Sequence, residues 1–450
     1  MSTEEGRRLR VGWFTPLPPA RSGIADYSEE FLPELARHVD LEVFHPGGTP
    51  TGSVAATLPC RPVAEAERVE AERPLDVRVY QLGNHPDHHG ALLEEFFRRP
   101  GVAEFHDLSL HGLIAGTTFV RGDAAGYLQA VRASHGEPGA QAAKAFLEGR
   151  APPPWESRMM EMTVNRPVAE RATGLVAHSD LALQSLKALA PGVPALKLLQ
   201  HTNDVADDPA AFRADCRRRL GLPDGTLVLG SFGFATPPKR IDRVLEALGR
   251  LRAEKPVDLL YAVVGQAEGF DLEGAVRANG LGDCVRIVGF AAKPEFLDWM
   301  GACDACFNLR WPTAGESSGT LHRMFGLGKL AVVTRGGTFD EYPDALVRRV
   351  RHGDGEVEDL LAVLRALRDG RIDLAAVARR AVRFAREEGS LARNAARLAA
   401  FLGAVAEGRR WPEDPADRLV DRLAALALAE DRYVAHLAPK AAAALGEEPS

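Results

Sequence analysis

The stretch that decides the fold is ESSGTLHRMFGLGKLAVVT, residues 316–334. In its first part Leu321, Met324, Phe325 and Gly328 recur at three- and four-residue spacing, the period of a helix with one buried face. Its last part, LAVVT, is a short apolar, β-branched run without polar alternation, the pattern of a strand covered on both sides. A second such run, ACFNL at 305–309, stands just upstream. Strand, loop, helix and strand in this order make a parallel βαβ unit.

Working outward, the unit repeats. TLVLGSFG (226–233), DLLYAVVG (258–265) and CVRIVG (284–289) are strand-like runs separated by helical stretches such as RIDRVLEALGRLR. A similar series occupies the first half: LRVGWFT (9–15), LEVFH (41–45), VRVYQLG (77–83), VAEFH (102–106) and GLVAHS (174–179). The α/β pattern therefore runs twice, with turn formers at 197–208 between the two series. A chain of 450 residues suits two domains. We place an N-terminal Rossmann-like domain at 1–200, a C-terminal one at 201–385, and a helical tail packing back on both at 386–450.

A net charge of −7, with both signs spread along the chain, provides no basic footprint for nucleic acid. No run approaches the ~18 apolar residues of a membrane span, and MSTEEGRRLRVGWF lacks the apolar core of a signal peptide. The five cysteines are too sparse for a disulfide framework, and Cys303 and Cys306 read as buried core thiols. A cytoplasmic protein is expected.

In doubly wound sheets, ligands bind beyond the carboxyl ends of the strands, where helix N-termini offer free N–H groups. Three loops fit that rule. PLPPARSGIADYS (16–28) sets Ser22 and Gly23 at a helix start, where the backbone can approach an anion. SFGFATPPKRIDR (231–243) puts Lys239 and Arg240 at a helix mouth, where a cation can neutralise a phosphate. In the opening stretch Ser317 and Ser318 are natural N-caps and Gly319 leaves room for a ligand. Glu316 is placed to accept hydrogen bonds from hydroxyls, and sugar hydroxyls are the obvious donors. His322 reads as a helix-surface histidine, and HGDGEVED (352–359) as a solvated acidic turn. GNHPDHHG (83–90) offers a rival reading, in which His85, Asp87, His88 and His89, with His106 and His111, ligate a metal.

The order of these motifs resembles the retaining glycosyltransferases of family 4. The likeness runs over about residues 9–345, through PLPPARSGIADYS, FHDLSLH, AHSD, QHTND, FGFATPPKR, VVGQAEG, CVRIVGF and LRWPTAGESSGTLHRMFGLGKLAVVTRGGTFDEYP. It implies the GT-B fold, two facing Rossmann-like domains with the active site between them. It also implies transfer of a hexose-like sugar from a nucleotide diphosphate sugar to an acceptor hydroxyl with retention, without metal or further cofactor. By this resemblance Lys239 binds the donor diphosphate, His106 approaches the donor sugar and Glu316 contacts its hydroxyls. Gly23, Arg240, Ser317, Ser318, Gly319, Gly289 and Phe290 fall on the donor side, and His85 and Asp107 on the acceptor side. Two positions depart from the pattern. Met324 stands where the family has a second acid for the ribose, and Phe234 where it has an arginine. Phosphate neutralisation would then rest more on Lys239, with Arg240 as a substitute for the arginine, and Glu341 is the nearby acid that would replace the missing one. The alternatives are an epimerase or a phosphorylase of the same fold, although no lysine is singled out for pyridoxal, and a non-catalytic sugar-nucleotide-binding protein.

Overall fold

The computed structural model describes residues 7–409 and Trp411. The first seven strands are β1 (Arg10–Phe14), β2 (Asp40–His45), β3 (Cys60–Pro62), β4 (Val77–Leu82), β5 (Val102–Phe105), β6 (Gly174–Ala177) and β7 (Ala195–Lys197). They form one sheet in the order β3-β2-β1-β4-β5-β6-β7. The next six are β8 (Leu227–Phe232), β9 (Leu259–Val264), β10 (Val285–Gly289), β11 (Ala305–Asn308), β12 (Leu330–Thr334) and β13 (Val347–Val350), in the order β10-β9-β8-β11-β12-β13. Every pairing between these strands is parallel. These are the two Rossmann-like units that the doubled pattern predicts.

The apolar runs become strands because helices cover both faces. In the first sheet Phe14, Tyr80 and Phe105 belong to a core on one side, and Val11, Trp13 and Val79 to a core on the other. In the second, Leu229, Tyr261 and Val332 face one core, and Val228, Ala262 and Val333 the other. Cys303 and Cys306 are free and buried in this last core, as expected.

In each sheet the strand order reverses once, between β1 and β4 and between β8 and β11. Loops diverge at such a point and leave a crevice at the carboxyl ends of the strands. The two crevices face each other. Ser109 N donates to Ala314 O at 2.9 Å, Ser317 N to His106 O at 3.4 Å, and Arg21 Nη1 to Gln266 Oε1 at 3.0 Å. Lys293 pairs with Glu30 at 2.9 Å, and Arg323 pairs with both Glu30 and Asp204.

Among the described residues the chain crosses between the units twice. After the first crossing, between β7 and the helix Pro209–Leu220, the second unit folds; the helix Leu391–Ala406 then returns. Its Ala395, Leu398, Phe401 and Leu402 pack among Val11, Trp13 and Val43 of the first unit. Residues 412–450, most of the expected tail, lie outside the described residues.

Close packing at the first crossing leads to a stability prediction. A Cβ on Gly326 would lie 2.2 Å from Asp204 O and 2.9 Å from Thr202 Cγ2. Gly326→Ala should therefore cost about 1–3 kcal/mol by overpacking. Gly403, also helical but with nothing within 4 Å of its would-be Cβ, should gain up to about 1 kcal/mol as alanine. Denaturant midpoints moving in the same direction for both variants would contradict this packing.

Candidate active site

A cleft of about 900 Å³ lies between the two units. Two helices point their N-termini at it. In the first unit Ser22 caps the helix Gly23–Leu35, its Oγ accepting from Ile24 N at 3.2 Å. In the second, Ser318 caps the helix Gly319–Gly326, its Oγ accepting from Leu321 N at 3.3 Å. Neither Gly23 nor Gly319 has a heavy atom within 4 Å of where a Cβ would stand. Both first turns are thus open to a ligand, with unpaired N–H groups and the positive end of the helix dipole.

Lys239 lies between them. Its Nζ donates to Phe232 O, and it closes over Gly233, whose φ of +80° suits the glycine. Burial, with Arg310 nearby, holds its amine well below the usual lysine range. Arg310 follows β11 and also lines the cleft. Its Nε contacts Glu316 Oε1 at 3.1 Å, and its backbone N–H donates to Thr334 Oγ1 at 2.9 Å. The other oxygen of Glu316, Oε2, accepts from Thr313 Oγ1 at 2.7 Å and Ala314 N at 2.8 Å. The carboxylate is thereby held in one place, with lone pairs to spare.

From the first unit come His85, His106 and Asp107. Asp107 Oδ2 accepts from Asn84 N at 2.7 Å. Burial pushes its carboxyl up to about 7, with the Glu316 carboxylate adding to the rise. His106 Nε2 lies 2.7 Å from Gln81 Oε1, and burial, with other histidines nearby, keeps its ring well below the usual range and so neutral. Phe290, 67% exposed, lies under the Arg21 guanidinium at 5.1 Å.

The cleft therefore gathers Glu316, Lys239, His106, Gly23, Ser317, Ser318, Gly319, Phe290, His85 and Asp107. It does not gather Arg240 or Gly289. The Arg240 guanidinium pairs with Glu356 Oε2 at 2.7 Å, and Glu356 is 1% exposed. HGDGEVED is thus not a solvated turn, because one of its acids is the buried anchor of Arg240. Gly289 has a φ of +74° at a register shift of β10, a backbone role that turns the chain into Phe290.

Met324 is fully buried among Leu321, Phe325 and Phe339, so it contributes only packing. Glu341 does not replace the missing acid. Its carboxylate accepts from Asp180 N at 2.7 Å and Leu181 N at 2.8 Å, bridging to the first unit. His322 is buried, not on the surface, with Nε2 2.9 Å from the Tyr342 hydroxyl.

The histidine-rich segment does not converge. His85 stacks on His88, while His89 is buried against Gln81 O and His111 against Met162 O. Among the described residues the group able to hold a metal is Glu104, His106 and His178, whose ligand atoms lie within 4.8 Å of one another.

Sequence reasoning missed Arg310. The signal was its position, one residue past an apolar strand and six before Glu316. It also missed Arg323 and Lys293, which line the cleft from helices after β11 and β10.

No protein-family model matches the chain. A D-inositol 3-phosphate glycosyltransferase of Nocardioides sp. is 29% identical over 193 residues, 39% of this chain and 41% of that protein. One of Streptomyces avermitilis is 30% identical over 193 residues, 39% of each chain. The matches thus span about two fifths of these relatives' length. Among solved structures, Alr3699/HepE of Anabaena in complex with UDP-glucose has a TM-score of 0.59 at 17% identity, covering 88% of this chain and 100% of that one. WaaG, a glycosyltransferase involved in lipopolysaccharide biosynthesis, has 0.58 at 16%, covering 87% and 99%. The fold is GT-B: two Rossmann-like domains, each with a parallel sheet flanked by helices.

Proposed function

We propose that this protein is a retaining glycosyltransferase that moves a hexose-like unit from a nucleotide diphosphate sugar to an acceptor hydroxyl. The observation that carries the reading is the meeting, in one cleft, of two open helix N-termini, Lys239 and Arg310, with a fixed sugar-facing acid, Glu316. The relatives' names and the UDP-glucose complex of the Anabaena protein support it. The leaving diphosphate gathers charge as the glycosidic bond breaks, and fixed cations and N–H dipoles stabilise that charge without reorganisation. Arg310 supplies the guanidinium that Phe234 lacks. Glu316 and His106 orient the sugar, and the departing diphosphate oxygen takes the acceptor proton on the same face. A thermal-shift screen of UDP, GDP, dTDP and ADP sugars tests this. One class should stabilise the fold by mass action and release its diphosphate slowly without acceptor; no stabilisation and no release would refute the reading.

The cations lining the cleft are proposed to do the work a divalent ion does elsewhere. EDTA should leave turnover unchanged; loss restored by Mg²⁺ or Mn²⁺ would contradict this. The burial of Met324 and the engagement of Glu341 leave Glu316, among the described residues, as the cleft's acid from the second domain. A charged hydrogen bond is worth about 1.5–3 kcal/mol and a neutral one about 1. Discrimination between the ribose donor and its 2′-deoxy form is therefore expected to stay within about tenfold in kcat/KM. A hundredfold preference would mean that another group binds the ribose.

A further inference from the structure

Under the floor of the cleft lies a chain of buried polar groups that the proposed chemistry does not use. Glu104, on β5, is fully buried. Its Oε2 accepts from Gln81 Nε2 at 2.8 Å, and its Oε1 accepts from the Tyr27 hydroxyl at 2.8 Å. No lysine or arginine is paired with it among the described residues. What faces it instead is His178, with Nε2 3.4 Å from Glu104 Oε1.

The hydrogen bonds fix where the protons are. His178 Nδ1 lies 2.7 Å from Leu198 O, a carbonyl that can only accept, so Nδ1 carries the hydrogen. The Nε2 of a neutral His178 is then a bare lone pair, and it has no other partner. An ionised Glu104 would bring a second set of lone pairs against it, both out of water. One proton between them removes the conflict. With that proton on Oε1, the Tyr27 hydroxyl and the Gln81 amide still donate to Glu104, and every group is satisfied.

The chain continues to the cleft. Because the Gln81 amide donates to Glu104, its Oε1 is the acceptor turned to His106. His106 Nε2 therefore carries the hydrogen, and Nδ1 has no partner among the described residues. Since His106 lines the cleft, Nδ1 is left for a ligand.

We propose that Glu104 is held inside the sheet as a neutral carboxylic acid sharing its proton with His178 and, through Gln81, locks His106 as the Nε2–H tautomer, so that Nδ1 accepts a hydrogen bond from a substrate hydroxyl. Glu104, Gln81 and His178 are positioning residues. Burial shifts both groups towards this arrangement, pushing the Glu104 carboxyl up to about 7 and holding His178 down to about 4. Around the pair stand Tyr27 on the helix Gly23–Leu35 and His106 after β5, with His201 against Tyr27; none is cationic at neutral pH, since burial lowers both rings.

The proposal rests on the glycosyltransferase reading for its kinetic arm alone. Nitrogen-15 histidine spectra of the whole protein at pH 6.5 report tautomers whether or not any donor turns over. His106 should show a protonated Nε2 and a bare Nδ1, and His178 the opposite. Glu104→Ala and Gln81→Met should leave His106 a mixture of tautomers and lower kcat about 10- to 100-fold with KM little changed. Glu104→Gln, which places an N–H where the shared proton sits, should restore most of the kcat lost in Glu104→Ala and keep the tautomer. A wild-type His106 carrying its proton on Nδ1, an imidazolium at either histidine, a Glu104→Gln as impaired as the alanine variant, or one equivalent of divalent metal bound by this trio would each overturn the proposal. Should the alanine variant not fold, the wild-type spectrum and Glu104→Gln decide the matter.

Discussion

Lys239→Ala and Glu316→Gln are each expected to lower turnover about 30- to 1000-fold without disturbing the fold, since removing a charged partner from such a site costs about 2–4 kcal/mol of transition-state stabilisation. The structure adds detail for each. Among the described residues Lys239 makes one hydrogen bond, to Phe232 O, so truncating it removes that carbonyl's donor together with the cation. Glu316→Gln keeps the acceptor for Thr313 but sets an uncharged amide against Arg310. Arg310→Ala should fall in the same range, because it removes a cation and the partner of Glu316 together. The depressed amine of Lys239 carries a further signature. A diphosphate raises that pKa, so binding takes up a proton, and affinity should weaken as pH rises through the free lysine's value. Titration calorimetry in buffers of different ionisation enthalpy reads this uptake directly. Near wild-type turnover in both Lys239→Ala and Glu316→Gln would show that the donor site lies elsewhere.

A second large effect is expected in mild acid. Burial holds the rings of His89, His201 and His322 down to about 3 and those of His111 and His178 to about 4, with His106 also well below the usual range. Each is neutral in the native protein and must take a proton on unfolding below about 6.5. Stability is therefore complete above the unfolded pKa and drains away as pH falls towards the native one. Between pH 7.5 and 5 each such ring costs about 2 kcal/mol. Glu104 and Asp107, both raised to about 7, work in the opposite sense, since the native state holds their protons first. They are outnumbered. The urea midpoint should drop steeply below pH 6.5; a profile flat to pH 5 would mean that these rings are not closed off from water.

Local pattern carried the architecture because both sheets are parallel and doubly covered, so each strand reads as one unbroken apolar run. The loops that follow those runs were legible for the same reason, and Lys239, Glu316, Gly23 and His106 reach the cleft from them. What local pattern left hidden was pairing over distance. Arg240 and Lys239 are adjacent in sequence, yet one is drawn off by Glu356, more than a hundred residues on. Glu341 likewise has its partners at Asp180 and Leu181, far back in the chain. Met324 was readable from its helical spacing, which placed it among the apolar residues, but only the packed core shows that no oxygen replaces the missing acid from that helix.

The two crossings between the domains lie against each other. Asn394 Nδ2, at the start of the returning helix, donates to Leu199 O at 2.7 Å, and a Cβ on Gly389 would stand 3.3 Å from Gln200 O. Two straps fastened at one spot act as a single pin. Motion that leaves both intact is a swing about that line, and sliding or twisting of one domain over the other would strain one strap. Displacement in a swing grows with distance from the pin, so a contact across the cleft, such as that of Arg21 with Gln266 and Phe290, should open while the pin stays put. A spectroscopic ruler between positions 21 and 266 would then see a sugar nucleotide arrive, while one between 199 and 394 would register almost nothing.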